Sequence, residues 1–234
     1  MNVILASTST VYGSQPLTYL KTELLELYRN TNEVLFIPYA RPGGISHEAY
    51  TKRMNDFFAS IEKKLVGIHE FENPLEAIHN AKGIFTGGGN TFVLLHQLNK
   101  SGLLEALKNA IQQGTPYLGT SAGSNICGLT INNTNDMPII YPSSFKSLGI
   151  VPFNINPHYI DPEANSTHMG ETRATRILEF HVYNTPPVVG LREGSWLELS
   201  KNGCVLKGTP TARIFEQNKQ PYELPSLSDL SFLK

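Results

Sequence analysis

A serine between two glycines stands near the middle of the chain, in the sequence GTSAG at residues 119–123. The pattern G-x-S-x-G follows a short apolar run and can open a helix, which is the strand, sharp turn and helix context of a nucleophile elbow. The neighbours of the serine must be small there, because in such a strained turn their Cβ groups would collide with the surrounding backbone. Ser121 is therefore a candidate nucleophile. A match of only five residues is, however, explained equally well by a Gly-rich turn with a purely structural role.

A second Gly-rich turn, TGGGNTF at residues 86–92, also follows a predicted strand and precedes a predicted helix. Free backbone N–H groups in such a turn can bind an anion. If the amide of Gly88 or Gly89 lay beside that of Ala122, the pair would form an oxyanion hole. A glycine triplet is equally typical of a phosphate site, so this turn alone does not decide between the two.

A serine nucleophile needs a base and a carboxylate that orients the base. Of the seven histidines, His158 is the first candidate because Pro157 fixes the backbone before it, and His168 is its competitor in the same irregular segment. The carboxylate is either Asp136, from that segment, or Glu193, which follows a predicted strand. Either would be chemically adequate, since the carboxylate acts by holding the imidazole in the right tautomer.

The composition limits the partners and the compartment. With 19 basic and 20 acidic side chains in 234 residues, the net charge of -1 predicts no nucleic-acid and no membrane partner. Cys127 and Cys204 lack metal-ligand spacing and indicate a reducing, cytoplasmic environment. The first apolar run is too short for a signal peptide or a membrane anchor. We therefore expect a cytoplasmic protein that needs no metal and no cofactor.

Short apolar runs alternate with amphipathic stretches and must position these residues. Strands are predicted at 2–6, 33–40, 65–71, 83–87 and 116–120, and helices at 17–30, 47–65 and 102–114. This alternation indicates a mostly parallel sheet with helices on both faces and places both Gly-rich turns at its carboxyl edge. Residues 131–170 are predicted to be mostly irregular, before a helix at 171–184 and short, partly antiparallel strands. We expect one α/β domain with a polar tail from about residue 217 that is at best partly ordered.

Six sequences, in order, resemble the peptidase E family of serine peptidases: GGGNTF, SAGSN, TNDMPI, INPH, GETR and GLREGSW. These peptidases are α-aspartyl dipeptidases related to cyanophycinase, and the likeness extends from about residue 2 to about residue 215. It implies a flavodoxin-like α/β fold similar to class I glutamine amidotransferases. It also implies that Ser121 is the nucleophile and His158 its base, with Gly89 and Ala122 as oxyanion donors. The third catalytic residue has been assigned in the family to the position of Asp136 and to that of Glu193.

The chain departs from the family pattern inside the elbow. Thr120 precedes the serine where tryptophan is expected, and Ser124 stands where alanine is common. These positions affect the shape of the leaving-group pocket rather than the chemistry.

The resemblance implies a small peptide substrate that begins with aspartate and so carries a β-carboxylate and an α-ammonium. Arg173 can bind the carboxylate bidentately, whereas Arg176 is equally well explained as a surface residue of a helix. Asn90 or Glu171 could contact the ammonium. Two other functions stay open: a cyanophycinase-like exopeptidase for a β-aspartyl-arginine polymer, and a non-catalytic phosphate-binding or nucleotide-binding module. We expect a monomer or a small homo-oligomer.

Overall fold

Strands and helices alternate along the first half of the chain. The structure is a computed structural model that describes residues 1–162, 167 and 169–234. The strands of this half are β1 (Val3–Ala6), β2 (Glu33–Ile37), β3 (Lys64–Gly67), β4 (Ile84–Thr86) and β5 (Tyr117–Thr120). The helices are α1 (Lys21–Leu27), α2 (His47–Ala59), α3 (Pro74–Asn80), α4 (Thr91–Lys100), α5 (Leu104–Gln112) and α6 (Ala122–Asn125).

The second half is richer in strands. It contains β6 (Asn154–Pro157), α7 (Arg173–Tyr183), β7 (Val188–Leu191), β8 (Ser195–Ser200), β9 (Gly203–Gly208), β10 (Ala212–Phe215) and β11 (Tyr222–Leu224). Short 3-10 helices lie at residues 18–20 and 68–70. Among the described residues, no helix combines the length and the apolar character that crossing a bilayer requires.

The central sheet has seven strands in the order β3-β2-β4-β5-β1-β8-β9. Strands β1 to β5 are mutually parallel. Strand β8 pairs antiparallel with β1, and β9 pairs antiparallel with β8. Leu5 lies opposite Gly119 and Ala6 opposite Thr120, so β1 and β5 end at the same level. The predicted α/β fold with a mostly parallel sheet and later antiparallel strands is confirmed.

A second sheet of four strands, in the order β11-β10-β7-β6, lies beside the first. Its β6 and β7 are parallel, with Pro157 opposite Leu191. The residues that follow these two strands therefore leave the sheet at the same edge. This pairing positions His158 close to Glu193.

Apolar side chains on successive residues of β1 belong to two different clusters. Val3 and Leu5 pack in the larger cluster, whereas Ile4 and Ala6 pack in the other. Because side chains alternate between the faces of a strand, both faces of the central sheet are buried. The continuous apolar run of β1 follows from this two-sided burial.

Several predicted boundaries change in the structure. The helix predicted for residues 47–65 ends at Ala59, because Lys64 already begins β3. Helix α3 was not predicted, although its signals are present: the Asn73 side chain accepts a hydrogen bond from the Glu76 amide, and Pro74 occupies the first turn.

Two predictions concern the less regular parts of the chain. The segment 131–170 is mostly irregular where the structure describes it, as predicted, but it also contains β6, whose four residues are all buried. The prediction that the C-terminal tail is at best partly ordered is wrong, because the tail contributes β11 and packs Leu230 and Leu233 into the larger apolar cluster.

Candidate active site

Ser121 occupies a sharp turn between β5 and α6. Its backbone is strained, with φ 52° and ψ -111°, a conformation that L-residues rarely adopt. A Cβ atom on Gly123 would overlap the carbonyl oxygen of Thr86, and one on Gly119 would lie 2.5 Å from the carbonyl oxygen of Gly123. Only glycine fits at these two positions. The Ser121 amide donates to the carbonyl of Ala6 over 3.1 Å, which fixes the turn to the end of β1.

His158 directly follows β6 and connects the serine to a carboxylate. Its Nε2 lies 2.9 Å from Ser121 Oγ, and its Nδ1 lies 2.6 Å from Glu193 Oε1. A carboxylate only accepts, so Nδ1 carries the proton and donates, which leaves the Nε2 lone pair to accept from the serine hydroxyl. The side chains of His158 and Glu193 are 36% and 48% exposed, so this hydrogen bond is partly hydrated.

Asp136, the alternative third member, makes different contacts. Its Oδ2 accepts hydrogen bonds from the Thr91 amide over 2.7 Å and from Thr134 Oγ1 over 3.2 Å. A carboxylate in this position complements the N-terminal end of α4. Of the two candidate carboxylates, the structure brings Glu193 to the imidazole and places Asp136 at a helix terminus.

The Gly-rich turn after β4 packs directly against the serine. A Cβ atom on Gly88 would lie 2.9 Å from the Cβ of Ser121. The Gly88 amide donates to Tyr50 Oη over 3.1 Å, and its carbonyl accepts from Arg41 Nε over 3.1 Å and from Tyr50 Oη over 3.3 Å. The Gly88 amide is therefore already occupied, which removes it as an oxyanion donor.

These contacts also orient the next amide. In a planar trans peptide, the Gly89 N–H points away from the Gly88 carbonyl and hence away from Tyr50 and Arg41. Gly89 has φ 146° and its Cα faces the Ala40 backbone. Within the described ranges, the N–H groups of Gly89 and Ala122 make no hydrogen bond. Two unoccupied amides beside the serine are what an oxyanion hole requires.

A cleft of about 220 Å³ opens at Ser121. We call it the active-site cleft; it is lined by Thr91, Ser121, Ala122, Asn125, Thr134, Asn135, Asp136, Pro157, His158 and Arg173. It thus collects the proposed nucleophile, base and oxyanion donor together with one acid and one guanidinium. Larger cavities lie elsewhere, such as that between Asn2 and Glu26, and they include none of these groups.

Arg173 begins α7 and is half-buried at the cleft wall. Burial lowers the pKa of its guanidinium, an effect that the nearby Glu193 carboxylate opposes. Its Nη1 is buried and finds no hydrogen-bond partner in the described part of the chain. A desolvated cationic donor without a partner is a favourable place for an anionic group.

The remaining predicted ligands lie outside the active-site cleft. Asn90 Oδ1 caps α4 by accepting from the Val93 amide, and its Nδ2 donates to the Met137 carbonyl over 2.8 Å. Each end of this side chain thus makes one hydrogen bond within the protein, and the substrate contact stays a prediction. Arg176 pairs with Glu171 over 3.6 Å on the exposed side of α7. His168 lies outside the described residues.

Comparison with known proteins identifies the family of this chain. Residues 3–206 match Peptidase family S51. The chain belongs to peptidase family S51. Its members are serine peptidases, so this S51 peptidase is a hydrolase of peptide bonds. A protein named Peptidase E from Streptomyces coelicolor is 44% identical over 233 residues, which cover 100% of this chain and 95% of the relative. A probable alpha-aspartyl dipeptidase from Drosophila melanogaster is 42% identical, with 99% and 97% covered.

Solved structures share the fold of this S51 peptidase. A peptidase from an acI-B1 Actinobacterium superposes with a TM-score of 0.73 at 16% identity and covers 99% of this chain and 96% of its own. A putative peptidase E protein from Listeria monocytogenes gives a TM-score of 0.68 at 20% identity, with 89% and 98% covered. At these identities the likeness concerns the fold alone.

Sequence reasoning missed the residues that hydrogen-bond to the backbone of the site and hold it in place. Arg41 and Tyr50 hold the Gly88 peptide, and Ser7 contacts the backbone of His158 through its hydroxyl over 2.9 Å. A signal existed for Ser7, because it is the first polar residue after a buried parallel strand and so stands at the carboxyl edge of the sheet.

Proposed function

We propose that this S51 peptidase is a dipeptidase that hydrolyses Asp-X dipeptides through an acyl-enzyme on Ser121. The observation that carries the proposal is the continuous hydrogen-bonded chain from Ser121 Oγ through both nitrogens of His158 to Glu193. The name of the Drosophila relative supports the aspartyl specificity.

The reaction begins when His158 Nε2 accepts the Ser121 hydroxyl proton as Oγ attacks the carbonyl carbon of the aspartyl residue. The carbonyl oxygen becomes an oxyanion, which the Gly89 and Ala122 amides stabilise. As the C–N bond breaks, the imidazolium returns its proton to the departing amine. Water, deprotonated by His158, then hydrolyses the ester and releases aspartate. Glu193 compensates the positive charge of the imidazole in both transition states.

Recognition of the first residue follows from the two charged groups of the active-site cleft. Arg173, whose Nη1 lacks a partner among the described residues, binds the substrate β-carboxylate. Asp136, which also lines the active-site cleft, binds the α-ammonium. A cleft of about 220 Å³ suits a small substrate. Asp136 is thus reassigned from orienting the base to binding the substrate.

The two other functions fit these residues less well. A phosphate-binding module would use successive amides of the Gly-rich turn, but the Gly88 amide is occupied by Tyr50. A cyanophycinase-like exopeptidase needs a wide cleft for a polymer chain, whereas this cleft is small. Both remain distinguishable by assay.

The test compares the wild type with Ser121→Ala and His158→Ala on Asp-Leu, β-Asp-Leu, Asn-Leu and Leu-Leu. Asp-Leu should be cleaved in preference to the others, and each substitution should remove nearly all turnover without lowering the melting temperature. A fluorophosphonate should label Ser121 in the wild type. Full turnover in either variant would refute the mechanism, and cleavage of Leu-Leu without Asp-Leu would refute the specificity.

A further inference from the structure

Ser7 is a buried serine that touches neither the active-site cleft nor the reacting atoms. We propose that it is a positioning residue that sets two distances, from His158 to Glu193 and from His158 to Ser121. The inference rests on the function proposed above. Its basis is a set of hydrogen bonds from Ala6, the last residue of β1, and from Ser7, which follows it, to all three segments of the site.

The first of these bonds fixes the base. Ser7 Oγ accepts from the His158 amide over 2.9 Å and donates to the Leu191 carbonyl over 2.7 Å. The same Leu191 carbonyl accepts from the Tyr159 amide over 3.1 Å. The peptide groups on both sides of the His158 Cα are thereby anchored. This matters because His158 has φ 53°, a left-handed conformation that a non-glycine residue keeps only when its surroundings impose it.

The second set fixes the turn that carries Glu193. Ser7 Oγ binds Leu191 before the turn, and the Ser7 amide donates to the Ser195 carbonyl after it over 3.1 Å. Inside the turn, the Ser195 amide donates to the Arg192 carbonyl over 3.1 Å. Ser7 therefore contacts the chain on both sides of Glu193.

The third contact fixes the nucleophile. The carbonyl of Ala6, the residue before Ser7, accepts from the Ser121 amide over 3.1 Å and from Ser124 Oγ over 2.7 Å. The Ser124 hydroxyl also lies 2.8 Å from the Gly119 carbonyl. Ala6 at the end of β1 and Ser7 directly after it thus connect the serine, the histidine and the carboxylate, although none of the three segments is adjacent to β1 in sequence.

Removal of the Ser7 hydroxyl leaves the His158 amide without its acceptor at a partly buried position. The peptide can then rotate toward a relaxed φ, which moves the imidazole away from Ser121 Oγ and Glu193. A displacement of about 1 Å in a reacting group can reduce a rate about 100-fold. The loss of the Ser7 hydroxyl should therefore lower kcat. The KM for the substrate should change little, since Ser7 does not line the cleft.

The test uses Ser7→Ala and, as a variant that preserves side-chain volume with a weaker acceptor, Ser7→Cys. Thr8→Ala is the matched control, because Thr8 is also buried but its hydroxyl bonds only within its own turn, to the Thr10 backbone. We expect kcat for Asp-Leu to fall about 10- to 100-fold in Ser7→Ala and less in Ser7→Cys. The KM should stay within about 2-fold, and Thr8→Ala should resemble the wild type.

A spectroscopic readout separates positioning from general loss of stability. The short Nδ1–H bond between His158 and Glu193 should give a downfield proton resonance, assigned by its loss in Glu193→Gln. Ser7→Ala should shift or broaden it, and Thr8→Ala should not.

An unchanged kcat and an unchanged resonance in folded Ser7→Ala would overturn the inference, as would equal losses in Ser7→Ala and Thr8→Ala. Full turnover in Ser121→Ala would instead overturn the proposed mechanism itself, so the two failures are distinguishable.

Discussion

Glu193→Gln is the substitution that best tests which carboxylate serves the base. The carboxylate lies 2.6 Å from His158 Nδ1 and faces a full positive charge when the imidazolium forms. With charge centres about 4 Å apart and an effective dielectric constant between about 20 and 80, the attraction is about 1 to 4 kcal/mol. The half-exposed side chains favour the lower part of this range. Because a glutamine can also donate to Nδ1 and select the wrong tautomer, we expect kcat to fall about 10²- to 10³-fold.

Asp136→Asn is the matched control, since it removes the other candidate charge of the site. It should raise the KM for Asp-Leu about 10-fold and reduce kcat less, because Asp136 bonds to Thr91 and Thr134 rather than to His158. Steady-state kinetics on both variants, with thermal melting to verify folding, measure the contrast. A large kcat loss in Asp136→Asn with normal turnover in Glu193→Gln would show that the reasoning from hydrogen-bond geometry is wrong.

Two further predictions concern other charged groups. Arg173→Met keeps the apolar stem of the side chain and removes its charge. The kcat/KM for Asp-Leu should therefore fall about 10- to 150-fold, the equivalent of about 1.5 to 3 kcal/mol for a charged hydrogen bond, whereas kcat/KM for Leu-Leu should not change. Equal losses on both peptides would contradict a carboxylate contact. Glu223→Gln tests the C-terminal strand, because hydrogen bonds from Arg192, Thr211 and Arg213 outweigh desolvation and lower the pKa of Glu223 to about 2. A depressed carboxyl pKa stabilises the fold above pH 4.5 and loses this effect as the pH falls toward 2. The melting temperature of the variant should therefore be lower than the wild type at pH 7 and converge with it below pH 3; a constant difference at both pH values would contradict the assignment.

The elbow could be predicted from sequence because its constraints are local. Ser121 needs glycine on both sides of its strained turn, and those residues are consecutive in the chain. The choice between Asp136 and Glu193 could not be made in the same way. It depends on the parallel pairing of β6 with β7, which places Pro157 opposite Leu191, and β6 lies in a segment whose sequence resembles a loop.

Asn90 illustrates a second limit. An asparagine after a Gly-rich turn suits a ligand contact and a helix cap equally well, because both use its short polar side chain. In the folded protein its oxygen caps α4 and its amide donates to the Met137 carbonyl. The order of the C-terminal tail is hidden in the sequence for a related reason. Leu230 and Leu233 stand in a largely polar sequence, and the tail is held by a long-range contact, in which the Leu230 amide donates to the Cys204 carbonyl of β9.

The placement of backbone strain gives β1 a role beyond its place in the sheet. Six described non-glycine residues have positive φ, and two of them, Ser121 and His158, are hydrogen-bonded to each other. A left-handed conformation costs about 1 to 2 kcal/mol per residue, so both positions would relax if their backbones were released. The Ala6 carbonyl and the Ser7 hydroxyl hold them. Because the core on both faces of the sheet fixes β1, the same apolar packing that stabilises the fold also keeps the serine oxygen and the imidazole nitrogen within reach of one proton.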